Sequence, residues 1–91
     1  MAITLDEAKL YLRVDNAEED NLILELLKTS EKLVMNVGRM TRKQLEKKSD
    51  TTRTAILFCL SYLYETRNTA DYHKLTLNLR YILFAEREGV L

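Results

Sequence analysis

Apolar residues recur along this chain every three or four positions, which is the spacing of an α-helix. The clearest stripe lies within residues 22–37, where apolar side chains share one face and lysines lie beside or opposite it. Its members are Leu22, Ile23, Leu26, Leu27, Leu33, Val34 and Val37, with the small polar Ser30 on the same face. No run of β-branched residues alternates with period two, so no strand is predicted. We predict an all-α protein, a small bundle of about four to five helices in one domain over residues 1–91.

Polar residues next to the apolar runs predict where the first two helices begin and end. Thr4 and Glu7 have the spacing of a capping box, which predicts a first helix of about two turns from Thr4. Asn16 or Asp15 is expected to cap the long second helix. Gly38 is expected to end that helix, because glycine adopts the left-handed conformation without a steric penalty.

The third major helix is predicted to run from a cap at Asp50 or Ser49 to about Arg67. It is apolar around most of its circumference, with a narrow polar strip at Thr54, Ser61 and Glu65. A helix of this kind is normally buried on most sides. We therefore expect it to be the central helix of the bundle or to face a neighbouring chain.

The last helix, predicted from about Asp71 to Arg87, has two apolar faces. At about 100° per residue, one face carries Leu75, Leu79, Ile82 and Leu83, and the other carries Leu77, Tyr81 and Phe84. A domain of 91 residues needs only one of them for its own core. The second face predicts contact with another chain.

Further apolar residues lie off the main stripes of the other helices and complete the candidate subunit interface. Exposed apolar stripes usually mark interfaces, although tight packing within one chain is the alternative. The candidates are Leu77, Tyr81 and Phe84 on the last helix, Phe58 and Tyr62 on the third major helix, and Leu24 and Met35 on the second.

Charge is balanced overall but unevenly distributed. There are 14 basic and 14 acidic residues, so no global basic field favours nucleic acid. Residues 1–38 carry 4 basic and 8 acidic side chains, whereas residues 39–53 carry 6 basic and 2 acidic. Within this basic middle, Thr41 and Gln44 could cap a short helix through Lys48, buried only at Leu45. The candidate phosphate contacts are Arg39, Arg42, Lys43, Lys47, Lys48 and Arg53, and a solvated helix flank is the alternative.

Few side chains are suited to catalysis or to metal binding. The only histidine is His73, expected at the surface, and the only cysteine is Cys59, expected in the core. The acidic cluster Asp15, Glu18, Glu19 and Asp20 lacks the spacing of a calcium loop and is better explained by helix capping. We predict no catalytic residue, no metal site and no cofactor, and hence a protein that is not an enzyme.

The cellular location follows from what the sequence lacks. A lone cysteine fits a reducing compartment. The first residues do not have the basic start and apolar core of a signal peptide, and the longest apolar run, residues 55–60, is too short to span a bilayer. We expect a protein made in the cytoplasm, with no membrane partner.

Several segments together resemble a known family. They are residues 3–15, the acidic start of the second helix at residues 18–23, residues 60–67 in the third major helix, and residues 79–91. In this order they resemble the small head–tail connector proteins of tailed bacteriophages, a family also associated with DNA packaging. The likeness covers most of the chain. It departs in the short basic middle, residues 39–49, where relatives tend to vary.

The resemblance implies an all-α subunit that assembles into a ring beneath the portal, at the head–tail junction of the virion. Its partners would be further copies of itself, the portal protein, other head-completion or tail proteins, and double-stranded DNA passing non-specifically through the channel. The host bacterial cytoplasm would be the place of synthesis. No catalytic residue is carried over. Two alternatives are a small helical DNA-binding transcriptional regulator and an antitoxin-like interaction domain.

Overall fold

The computed structural model describes residues 3–47, 50–66 and 68–85. Five helices follow one another: α1 (Leu5–Leu12), α2 (Asp20–Gly38), α3 (Arg42–Glu46), α4 (Asp50–Glu65) and α5 (Tyr72–Ala85). The three described ranges contain no strand. The predicted all-α fold with about five helices is confirmed.

Helices α2 and α4 form the middle of the bundle, because α4 packs against α1, α2 and α5, and α2 packs against all four other helices. A hydrogen bond from the Tyr64 hydroxyl near the end of α4 to the Glu19 carboxylate just before α2 holds these two helix ends together. The core between α2, α4 and α5 is apolar, and its buried side chains include Ile23, Leu27, Val34, Ala55, Ile56, Cys59, Leu60, Leu63, Leu75 and Leu79. The prediction of a largely buried third major helix is confirmed, and α4 shares its central position with α2.

Two capping boxes predicted from the sequence are present. At the start of α1, the Thr4 hydroxyl accepts from the backbone N–H of Glu7 at 3.1 Å, and the Glu7 carboxylate accepts from the Thr4 N–H at 2.9 Å. At the start of α3, Thr41 and Gln44 make the same reciprocal pair at 3.2 and 2.8 Å. Each box satisfies two backbone donors that the first helical turn leaves without partners.

The start of α2 differs from the prediction. The helix begins at Asp20, and the residue in the capping position is Glu19, whose side chain makes no capping hydrogen bond. Asn16 instead accepts from the backbone N–H of Glu18 at 3.0 Å. This local hydrogen bond stabilises a turn between α1 and α2, so neither Asn16 nor Asp15 caps the helix.

The end of α2 falls where predicted but for a different reason. Gly38 is the last helical residue, and the left-handed residue is Arg39, with φ of 53°. A Cβ added to Gly38 would lie 2.7 Å from the Met40 Cε atom and 3.4 Å from the Leu83 Cδ1 atom. Glycine at this position therefore gives space to neighbouring side chains and does not supply the left-handed turn.

The described boundaries of α4 and α5 lie close to those predicted, with α4 beginning at Asp50 and α5 at Tyr72. Helix α4 ends at Glu65, and a hydrogen bond of 2.8 Å from the Thr69 N–H to the Thr66 carbonyl oxygen then turns the chain. Helix α5 starts after Asp71, whose side chain accepts from the Lys74 N–H at 3.1 Å. The predicted helix limits at Lys48, Ser49, Arg67 and Arg87 lie outside the described residues.

Candidate assembly surfaces

The outer face of α5 carries large apolar side chains in contact with solvent. Leu77 is 49% exposed, Tyr81 is 78% exposed and Phe84 is 37% exposed, whereas Leu75 and Leu79 on the opposite face are buried. The helical period separates these two sets as the sequence predicted. We call the outer set, Leu77, Tyr81 and Phe84, the α5 patch.

Arginine side chains border the α5 patch. Leu77, Arg80, Tyr81 and Phe84 line one shallow groove. Arg80 and Phe84 also line a second groove with Val37, Gly38 and Arg39 at the end of α2. The patch therefore combines apolar rings with positive charge.

The candidate interface residues on α2 and α4 are less exposed than the α5 patch. Phe58, Tyr62 and Met35 are partly buried and pack against the hydrophobic core. The hydroxyl of Tyr62 also accepts from the backbone N–H of Asp71 at 2.8 Å, at the start of α5. Leu24 is partly buried. The first three thus have contacts within the chain, and their role between subunits stays a prediction.

Helix α1 exposes two large apolar residues that sequence reasoning did not select. Leu10 is 81% exposed and Tyr11 is 51% exposed. On a helical wheel Leu10 lies nearly opposite the core-facing Ala8 and Leu12. The angular position of Leu10 was therefore visible in the sequence, although α1 is too short for its periodicity to be prominent. We call Leu10 and Tyr11 the α1 patch.

Two ion pairs attach α1 to the rest of the bundle. The Lys9 Nζ atom lies 2.7 Å from the Asp20 Oδ1 atom at the start of α2, and the Arg53 Nη2 atom lies 3.0 Å from the Glu7 Oε2 atom. The pKa of Glu7 is lowered from 4.5, first by the hydrogen bond from the Thr4 backbone and then by Arg53. The charged form of Glu7 therefore favours the docked position of α1.

The six candidate phosphate contacts fall into three groups. Arg42 and Arg53 are ion-paired, Arg42 with the buried Glu31 at 2.8 Å and Arg53 with Glu7. Lys48 lies outside the described residues. Arg39, Lys43 and Lys47 are exposed and make no ion pair with any residue that the structure describes.

Positive and negative side chains are separated along α2. Asp15, Glu18, Glu19 and Asp20 lie just before or at its first residue, and Arg39, Arg42, Lys43 and Lys47 follow its last residue. Nineteen residues at about 1.5 Å each put roughly 28 Å between the two ends of α2. This polarity complements the helix dipole, which favours anions at the N-terminus and cations at the C-terminus.

The described residues offer little for catalysis. Cys59 is buried, and burial raises the pKa of its thiol to about 11, against a smaller opposite effect of a hydrogen bond with Ser30. Such a thiol is a poor nucleophile at neutral pH. His73 is exposed, and no group of three potential metal ligands occurs within the described ranges. None of the described helices is both long and apolar enough to cross a bilayer.

These surfaces define a class of protein, a small helical domain whose distinctive features are outward apolar patches and separated charges. Comparison with known protein families identifies the family to which this domain belongs. The family of the phage gp6-like head-tail connector protein matches residues 2–86, and the chain belongs to that family. It is accordingly a structural connector and a virion component. Comparisons with curated proteins and with solved structures gave no match.

Proposed function

We propose that copies of this chain assemble into a closed ring beneath the phage portal and join the capsid vertex to the tail proteins. The observation that carries the proposal is the α5 patch, three apolar side chains that the chain's own core leaves 37–78% exposed. Contiguous apolar surface of this kind on a small protein favours association. Membership of the connector family supplies the setting for that association.

A ring requires that each subunit present two different surfaces, one for each neighbour. The α5 patch supplies one surface, and the α1 patch on a different helix supplies a second. The subunit acts by geometry alone and is not an enzyme. Its repeated copies would line a passage continuous with that of the portal.

Purified protein at raised concentration, alone and with the portal protein, tests the proposal by electron microscopy and light scattering. We expect annular particles from the wild-type chain. Tyr81→Asp should abolish them without loss of helicity, because the side chain is 78% exposed and its replacement leaves the core intact. Thr29→Asp, which adds the same charge at an exposed position of α2, is the matched control. Rings from Tyr81→Asp, or solitary chains even with the portal, would contradict the proposal.

We also propose that Arg39, Lys43 and Lys47 contact DNA phosphates in the assembled channel. These cations are exposed, and phosphate contacts of this kind are independent of sequence. Duplex binding by the assembly should weaken with salt, and the double variant Lys43→Gln/Lys47→Gln should reduce the log–log slope by about 0.9 per lost contact in each subunit that meets DNA. Binding by a dimer to one preferred sequence would instead favour a transcriptional regulator.

A further inference from the structure

Helices α1 and α5 are both packed on the α2–α4 pair but are separate from each other. Each contacts α2 and α4, and contact between α1 and α5 is marginal at most within the described residues. The α1 patch and the α5 patch therefore belong to different surfaces of the subunit. Two such surfaces on one molecule can be covered at the same time by two other molecules.

The charges around the patches disfavour contact of either patch with its own copy. Residues 72–85 contain Lys74 and Arg80 and no acidic residue. Residues 5–19 contain five acidic and two basic side chains. A symmetric α5–α5 contact would bring arginine against arginine, and a symmetric α1–α1 contact would bring an acidic region against itself. Contact between α1 and α5 brings opposite charges together, which selects the partner.

We infer that the α5 patch of one subunit is covered by the α1 patch of the next subunit, with Leu10 and Tyr11 packed against Leu77 and Tyr81. The occupant is thus a second copy of this chain. The acidic region around α1 faces Arg80 and Lys74 across this contact. The inference rests on the proposed ring and names the two surfaces that meet in it.

Cysteine cross-linking of the full chain tests this contact. One preparation carries Leu10→Cys, another carries Tyr81→Cys, and a short bis-maleimide is added to each and to their mixture. The native Cys59 is buried, so the wild-type chain is the blank. Both substitutions lie at positions that are 81% and 78% exposed, and circular dichroism checks that the helices are retained. A chain with both cysteines extends the test to higher assemblies.

If this contact forms, the mixture should give a cross-linked dimer. The dimer should be lost when Leu77→Asp is added to the Tyr81→Cys chain. The chain with both cysteines should give a series of cross-linked species larger than the dimer. Cross-linking of Tyr81→Cys to itself would overturn the inference, because it requires a symmetric α5 contact. Rings by microscopy without an α1–α5 cross-link would overturn this pairing and leave the ring proposal standing. Absence of both rings and cross-links would overturn both.

Discussion

The ion pair between Arg42 and Glu31 fastens the basic helix α3 to α2, and its two members differ in burial. The Glu31 side chain is 1% exposed and the Arg42 side chain is 47% exposed. Removing the guanidinium leaves a buried carboxylate without this donor, whereas removing the carboxylate charge leaves an arginine that water reaches. Arg42→Met should therefore destabilise the protein more than Glu31→Gln does.

The magnitude follows from the burial. Removing one member of a fully buried ion pair lowers the free energy of unfolding by about 3–5 kcal/mol, because the other member stays buried with its charge uncompensated. Because Arg42 is half exposed, we expect about 2 kcal/mol for Arg42→Met and about 0.5–1 kcal/mol for Glu31→Gln. At about 4–8 °C per kcal/mol for a domain of this size, Arg42→Met should lower Tm by roughly 8–16 °C.

Urea unfolding of the two single variants and the double variant measures the coupling energy directly. The midpoint should move while the slope stays constant, which identifies a change in stability. Lys43→Met, at an exposed neighbour on α3, is the control and should stay within about 0.5 kcal/mol. If Arg42→Met were no more costly than Lys43→Met, the pair would contribute nothing and the reasoning from burial would be refuted.

Three further outcomes are expected. Leu79→Ala should cost about 2–5 kcal/mol in urea unfolding because Leu79 is fully buried, whereas Leu77→Ala should stay within about 0.5 kcal/mol because that residue is 49% exposed. Glu7 has a folded-state pKa below 4.5, so its stabilising effect is present above that pH and is lost as pH falls. The stability gap between wild type and Glu7→Gln should close on acidification. Gly38→Ala should be neutral or stabilising by about 0.5–1 kcal/mol, because the backbone is helical there and only the flexible end of Met40 must move.

Each of these outcomes has a contrary result. Equal losses for Leu77→Ala and Leu79→Ala would mean that both faces of α5 are packed within the chain. If the difference in stability between wild type and Glu7→Gln widened in acid, the charged form of Glu7 would not be the stabilising one. A loss of about 2 kcal/mol or more from Gly38→Ala would mean that Met40 and Leu83 cannot adjust, since large losses of this kind indicate overpacking or backbone strain.

Local hydrogen-bonding signals were the most dependable part of the sequence. The reciprocal pairs Thr4–Glu7 and Thr41–Gln44 were recognisable because both partners lie three residues apart, and both are present. Asn16 was misleading for the same reason. Its side chain makes a local bond, but to a turn before α2, and nothing in the sequence distinguishes these two uses.

The surfaces were harder to predict than the core. The two faces of α5 could be separated because the helix is 14 residues long and its apolar positions recur. The helical wheel places Leu10 opposite the core side of the 8-residue α1, but whether another part of the chain covers it depends on how α1 lies on α2 and α4, which is a tertiary property. The pairing of Arg42 with Glu31 spans 11 positions and likewise depends on how α3 folds back onto α2.

The placement of opposite charges at the two ends of α2 has a consequence for how copies meet in solution. Because the chain has no net charge, two copies do not repel each other at long range. The acidic and basic ends of α2 nonetheless rotate an approaching copy toward orientations in which opposite charges face each other. Encounters are thereby oriented before any apolar surface touches. Because these charged ends are exposed, salt screens the electrostatic orientation of a copy beyond about 8 Å at physiological ionic strength. Added salt should therefore slow the association of subunits more than it weakens rings that have already closed.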